Sequence, residues 1–181
     1  LTQSGAFADK NVGTGKTVTV NNAIAGAEAG NYSLTQASTM LSADITAKAL
    51  TVANTSVANK VYDGTTTATL SGGVLVGVIT ADTNNVTLTQ SAAFANKDAG
   101  TAKAVNITST LAGTEANNYS LTQPTALSAD ITAKALTVAN TSVANKVYDG
   151  STTATLSGGS LVGLISTDAA NVTLTQAGAF A

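Results

Sequence analysis

Residues Leu41 to Gly64 read LSADITAKALTVANTSVANKVYDG, and Leu127 to Gly150 read the same 24 residues at an offset of 86. The copying runs further: Thr66–Gly73 (TTATLSGG) returns at Thr152–Gly159, and Val86–Gln90 (VTLTQ) at Val172–Gln176. The opening joins the pattern at an offset of 87, where Leu1–Ser4 and Phe7 match Leu88–Ser91 and Phe94, and Asn31–Gln36 match Asn118–Gln123. The offset differs because Ala37–Met40 is one residue longer than its counterpart Pro124–Ala126. Helical solenoids repeat every ~33–47 residues and β-helical coils more often, so this period fits neither. It is the size of a small autonomous domain. A duplicated catalytic site gains nothing from verbatim copying of its scaffold, whereas a spacer gains length with each copy. The repeat therefore favours a mechanical role.

The local patterns are β. Val18-Thr19-Val20, Leu50-Thr51-Val52, Val86-Thr87-Leu88-Thr89 and Val105-Asn106-Ile107-Thr108 alternate apolar with polar residues, the period-2 signature of half-buried strands. Thr suits the solvent face because its branched Cβ fits the pleat. Turn formers lie between: Asp63-Gly64, Ser71-Gly72-Gly73, Asp82-Thr83-Asn84-Asn85 and Asn96–Gly100. Only Ala23–Ala29 could pass for a helical turn, and Gly26 and Gly30 argue against a long one. Short strands at such spacing predict an all-β fold of tandem Ig-like β-sandwich modules of about 86 residues.

A phase slip places the junctions. Ile45 and Ala47 stand in one alternation register, Leu50 and Val52 in the other, and one extended segment cannot turn both sets to one core. The break is expected at Ala47-Lys48, and again at Ala133-Lys134. The chain then divides into 1–47, the C-terminal half of a repeat, 48–133, a complete repeat, and 134–181, the N-terminal half of another. So short a linker should limit bending.

Composition narrows function. Of 181 residues 44% are hydrophobic but only 4% aromatic, and 10% are charged, with net charge −2 and neither Arg nor His. Eight scattered Lys cannot build the basic stripe that holds a phosphate backbone, so nucleic acid is not an expected partner. With no Cys there is neither a disulfide framework nor a thiolate metal site. The longest apolar run, Val74–Ile79, is strand-sized, so no membrane span is expected in this segment. Leu1 opens the chain with neither Met nor a leader, so no targeting segment is visible and the chain reads as a fragment.

Lys60-Val61-Tyr62-Asp63-Gly64-Thr65-Thr66, Phe7–Gly13, Asn31-Tyr32-Ser33-Leu34 and the junction Ile45-Thr46-Ala47-Lys48 together resemble the YDG/MBG-type repeats. Those occur in long bacterial surface proteins, including filamentous-haemagglutinin-like adhesins exported by two-partner secretion. The resemblance covers the whole chain. It implies an extracellular, cell-surface location and a stalk or adhesin context, and it brings no catalytic residues with it.

The candidate sites each have a plainer explanation. Gly13-Thr14-Gly15-Lys16-Thr17 looks like the end of a phosphate-binding loop, but the full motif needs a Gly where Lys10 stands. It reads as a turn leading into a strand. Tyr62-Asp63-Gly64 and Tyr148-Asp149-Gly150 could offer Asp to a metal or Tyr to a glycan. The structural expectation is a buried Tyr with its hydroxyl satisfied by backbone, and a tight Asp-Gly turn. Phe7, Phe94, Phe180, Tyr32 and Tyr119 are likewise expected to be core anchors. A calcium site needs six to eight oxygens, and each repeat offers only Asp44, Asp63, Asp82, Asp98 and Glu115, well separated. Seven Asn-x-Ser/Thr sequons, at Asn31, Asn54, Asn85, Asn106, Asn118, Asn140 and Asn171, are candidates for glycosylation by analogy with adhesins of that secretion route. Without His or Cys no hydrolytic triad can form. No catalytic, cofactor-binding or metal residue is assigned, no cofactor is expected, and the chain is not expected to be an enzyme.

The expected function is a structural stalk or filament segment of a bacterial cell-surface adhesin. The alternative is a module that itself binds glycan or host protein, which scarce aromatics and absent Arg disfavour. The expected partners are neighbouring repeats. The closing LTQAGAFA nearly repeats the opening LTQSGAFA, so the chain is either a window on a longer array or associates head to tail into a filament, each half-repeat completing its neighbour's.

Overall fold

A computed structural model of the protein describes residues 2–35 and 41–181. Leu1 and the segment 36–40, which carries the one-residue difference between copies, lie outside the described residues. The fold is all-β. Its strands are β1 (Thr2–Phe7), β2 (Gly13–Ala23), β3 (Leu41–Ile45), β4 (Lys48–Ala53), β5 (Ser56–Val57), β6 (Lys60–Val61), β7 (Leu70–Ser71) and β8 (Val74–Val76). They continue with β9 (Thr87–Phe94), β10 (Gly100–Ala112), β11 (Tyr119–Leu121), β12 (Leu127–Thr132), β13 (Thr137–Val143), β14 (Thr153–Ala154), β15 (Leu156–Val162) and β16 (Gly178–Ala179). Helical geometry among the described residues is confined to 3-10 turns at Ala29–Asn31, Thr80–Asp82, Ala116–Asn118 and Ser166–Asp168. The stretch Ala23–Ala29, which could pass for a helical turn in sequence, is mostly not one: β2 runs on to Ala23 and the 3-10 turn begins only at Ala29.

Alternation forms the strands as the sequence implies. In β10 Val105, Ile107, Ser109 and Leu111 turn inward while Asn106, Thr108 and Thr110 face solvent. The phase slip is resolved by breaking the strand: β3 ends at Ile45 and β4 begins at Lys48, while β12 ends at Thr132 and β13 begins at Thr137.

The chain forms two compact units. The first comprises Leu1–Thr55, Gly72–Gln90 and Ser109–Pro124, and the second Ser56–Ser71, Ser91–Thr108 and Thr125–Ala181. In the first, β1, β2 and β3 make an antiparallel sheet in that order, with Phe7 opposite Val18 and Val18 opposite Leu41. A second sheet sets β4 between β8, antiparallel, and β11, parallel with Tyr119 opposite Lys48. The core is Leu50, Val86 and Tyr119, with Leu75, Val78, Leu111 and Leu121 packed against it.

In the second unit the largest sheet has the order β6-β12-β10-β9, with β12 antiparallel to β10 and parallel to β6. Three two-stranded pairs, β13–β15, β14–β16 and β5–β7, complete it. Ala68, Phe94, Val105, Ala129 and Ile131 form its core, flanked by Val57, Tyr62, Ala92 and Ile107.

Repeat copies fold alike in detail. The register shifts between Gly13 and Lys16 in the first unit and between Gly100 and Lys103 in the second. At each shift the chain takes a left-handed residue, Gly15 (φ +60°) or Ala102 (φ +48°). Its freed N–H is taken up by a carboxylate, Asp44 at 2.8 Å or Asp130 at 2.7 Å. The Gly13–Thr17 stretch is therefore a bulge inside a strand, since β2 already begins at Gly13.

The aromatic expectation holds only in part. Phe94 is 2% exposed and Tyr119 is buried, but Phe7 (41%) and Phe180 (45%) are half-open and Tyr32 and Tyr148 lie on the surface. The reason is the surroundings. Phe94 packs with Ala68, Val105, Ala129 and Ile131. Phe7 has Val18, the counterpart of Val105, opposite it, and Phe180 has the Lys146 Nζ 5.9 Å from its ring centroid, but neither ring belongs to an enclosed core cluster.

Candidate functional site

The chemistry-bearing side chains gather around two aspartates, one in each unit. In the first unit the 3-10 turn Thr80–Asp82 buries Asp82. Its Oδ2 accepts the Tyr119 hydroxyl at 2.7 Å, and that hydroxyl oxygen accepts the Ile79 N–H at 3.2 Å. Lys10 Nζ lies 3.6 Å from Asp82 Oδ1 and 3.0 Å from Glu115 Oε1. The Glu115 carboxylate, followed by Asp82, holds the Lys10 pKa above its ordinary value. Burial, and then the bond to Asp82, raise that of Tyr119. Both groups therefore keep their protons and act as fixed donors. Asn118 adds a tie, accepting the Val12 N–H at 2.9 Å.

In the second unit Asp168, on the turn Ser166–Asp168, accepts the Tyr62 hydroxyl at 2.6 Å. Lys97 Nζ donates to the same hydroxyl oxygen at 2.8 Å, lies 3.7 Å from Asp168 Oδ1, and sits 5.2 Å from the Tyr62 ring centroid. The Tyr62 bond, then Asp168, raise the Lys97 pKa, so this amine is a cation rather than a proton acceptor. The group borders a cleft of about 430 Å³ walled by Leu136, Ile165 and Val172.

Tyr62 differs from the expectation. Its ring is half-buried, and its hydroxyl reaches a carboxylate instead of backbone. The reason is that Asp168 and its turn lie close to the hydroxyl. Asp63 makes the expected turn, accepting the Thr65 N–H at 2.9 Å with Gly64 at φ +79°, and it pairs with Lys60 at 2.7 Å. Of the acids weighed as calcium ligands, Asp82 and Glu115 do meet, but on Lys10. No group of three or more potential ligands stands together among the described residues. Among the sequons, Asn54 and Asn140 occupy left-handed turn positions, φ +59° and +61°. The Asn118 amide donates to Glu115 at 2.7 Å. Sequence reasoning missed both aspartate clusters. The one available signal was that Lys10/Lys97 and Asp82/Asp168 recur with the repeat.

The exposed carboxylates predict acid sensitivity. The Lys60 bond, helped by Thr65, lowers Asp63 from 3.8 to about 2. Lys146 lowers Asp149 and Lys16 lowers Asp9 in the same direction. A carboxylate depressed in the folded state stabilises above its unfolded value, and that contribution disappears as pH falls through its folded value. Denaturant melts should therefore show stability flat from about pH 8 to pH 5 and falling from about pH 4 towards pH 2. These ion pairs are exposed, so the fall should be modest, shrink in salt and shrink again in Asp63→Asn.

The YDG domain family's sequence pattern matches residues 1–40, 46–126 and 132–181. The chain belongs to the YDG domain family. No curated protein and no solved structure matches the chain. The three matched segments give the clusters a common meaning. Lys10 of the first segment meets Asp82 and Glu115 of the second, and Tyr62 and Lys97 of the second meet Asp168 of the third. Each cluster brings together residues of two successive matched segments within one compact unit.

Proposed function

We propose that this chain is a structural segment of a bacterial cell-surface adhesin, a stalk or filament built from tandem β-sandwich modules of about 86 residues and working outside the cell. Its repeats act mechanically rather than as catalysts. The observation that supports this reading is that Asp82 and Asp168, at equivalent repeat positions, each face a lysine of the preceding matched segment, Lys10 and Lys97. Charged hydrogen-bonded pairs resist dissociation more than neutral ones, and near-verbatim copies make the pairing repeatable. The short strand breaks at the junctions fit limited bending.

A protein of four or more covalently joined repeats should scatter X-rays at small angles as a rod, its maximum dimension rising by a constant step per repeat. A compact globule of the same mass would overturn the reading. The alternative, a glycan- or protein-binding module, draws on the cleft beside Tyr62. There, however, Lys97 sits over the aromatic face that a sugar would stack on.

A further inference from the structure

We propose that the two compact units open independently of each other, so that the repeat 48–133 contributes to two separate opening units and the smallest cooperative element of the fold is not the sequence repeat. Both units draw on that repeat. The chain passes from one to the other at Thr55-Ser56, Ser71-Gly72, Gln90-Ser91, Thr108-Ser109 and Pro124-Thr125. Every one of these steps falls on Thr, Ser, Gln, Gly or Pro.

The apolar clusters divide along the same line. Leu50, Val86 and Tyr119 belong to the first unit, and Ala68, Phe94, Val105, Ala129 and Ile131 to the second. Elements open together when they bury apolar surface in common, and local opening follows cooperative packing units. These two clusters share no residue.

The polar side chains near the steps find their partners within their own unit. Gln90 Nε2 donates to Ser109 Oγ at 3.1 Å and lies 3.5 Å from Thr55 Oγ1. Gln123 takes up both backbone groups of Ser109, as a pairing strand would. Its Oε1 accepts the N–H at 3.0 Å, and its Nε2 donates to the carbonyl at 2.9 Å. Thr55, Gln90, Ser109 and Gln123 all belong to the first unit, where Ser109 is 3% exposed. The Ser56 and Ser71 hydroxyls meet at 2.7 Å in the second. The Asp82 cluster likewise closes in the first unit and the Asp168 cluster in the second. Opening one unit therefore strands none of these polar atoms in the other, and they add no desolvation penalty that would tie the two openings together.

Amide hydrogen exchange of the full chain, followed residue by residue by NMR, tests this. The reporters in the first unit are the N–H groups of Asn85, Glu115 and Thr122, bonded to the carbonyls of Asp82, Asn85 and Leu50. Those in the second are the N–H groups of Ala68, Phe94 and Ala95, bonded to Ala92, Thr66 and Ala104. Val86→Ala should speed exchange of the first set at least about ten-fold, as truncation of a buried side chain does, and change the second set less than about two-fold. Val105→Ala should do the reverse. Gln123→Ala and Ile107→Val take their places if the fuller truncations melt early. Two results overturn independent opening. One is acceleration of both sets by a single variant, with coupling carried along β9 and β10, which pass through both units. The other is a variant that leaves its own set unchanged.

Discussion

Phe94→Ala should destabilise the protein by about 3–5 kcal/mol, the range for truncating a fully buried aromatic ring. Phe7→Ala and Phe180→Ala should each cost less, about 1–2 kcal/mol, because nearly half of each ring is already in solvent. The three rings are equivalent by repeat, but only Phe94 is enclosed, with Ala68, Val105, Ala129 and Ile131 around it. Its ring leaves a cavity on truncation, because Ala68 and Ala129 are too small to collapse into the space. Urea melts of the three variants would decide it. Equal losses at all three sites would mean that repeat position, not enclosure, sets the energetics.

Gly72→Ala and Gly158→Ala should each destabilise by about 2–3 kcal/mol, combining left-handed strain with overpacking. Both glycines have positive φ, +74° and +70°. An added Cβ would lie 1.9 Å from the Asn54 carbonyl oxygen at Gly72 and 2.3 Å from that of Asn140 at Gly158. Those neighbours are backbone and cannot step aside. Gly15→Ala is the control. It also has positive φ but nothing within 4 Å of the new Cβ, and its counterpart Ala102 already holds φ +48°. Its cost should stay near 1 kcal/mol, roughly the left-handed penalty alone. Thermal melts of the three variants check the ranking. If Gly15→Ala proved as damaging as Gly72→Ala, strain rather than the carbonyl clash would be the cause.

What could be read in the sequence was what neighbouring residues settle between themselves. Alternation gave β2, β4 and β10, the slip between Ile45 and Leu50 gave the strand break, and Asp63-Gly64 gave its turn. What could not be read depends on residues far apart in the chain. Lys10, Asp82 and Glu115 are ordinary surface letters until packing brings them together. Tyr62 and Tyr148 sit in identical sequence, yet one hydroxyl reaches a carboxylate and the other ring faces solvent. Identical sequence cannot predict different surroundings, so the aromatic expectation failed at the outer copies and held in the middle one for Phe94 and Tyr119 but not for Tyr62.

The parallel pairing of β4 with β11 bears on how tension would act. Lys48 is opposite Tyr119 and Leu50 opposite Leu121, so the first strand of the central repeat lies alongside one from near its end, running the same way. Pulling the start of β4 against the end of β11 slides these strands along each other. Their hydrogen bonds are then loaded in shear and must yield together, whereas an antiparallel hairpin pulled from its open end unzips one bond at a time. The parallel pair of β6 with β12, Ile131 opposite Lys60, has the same geometry in the second unit.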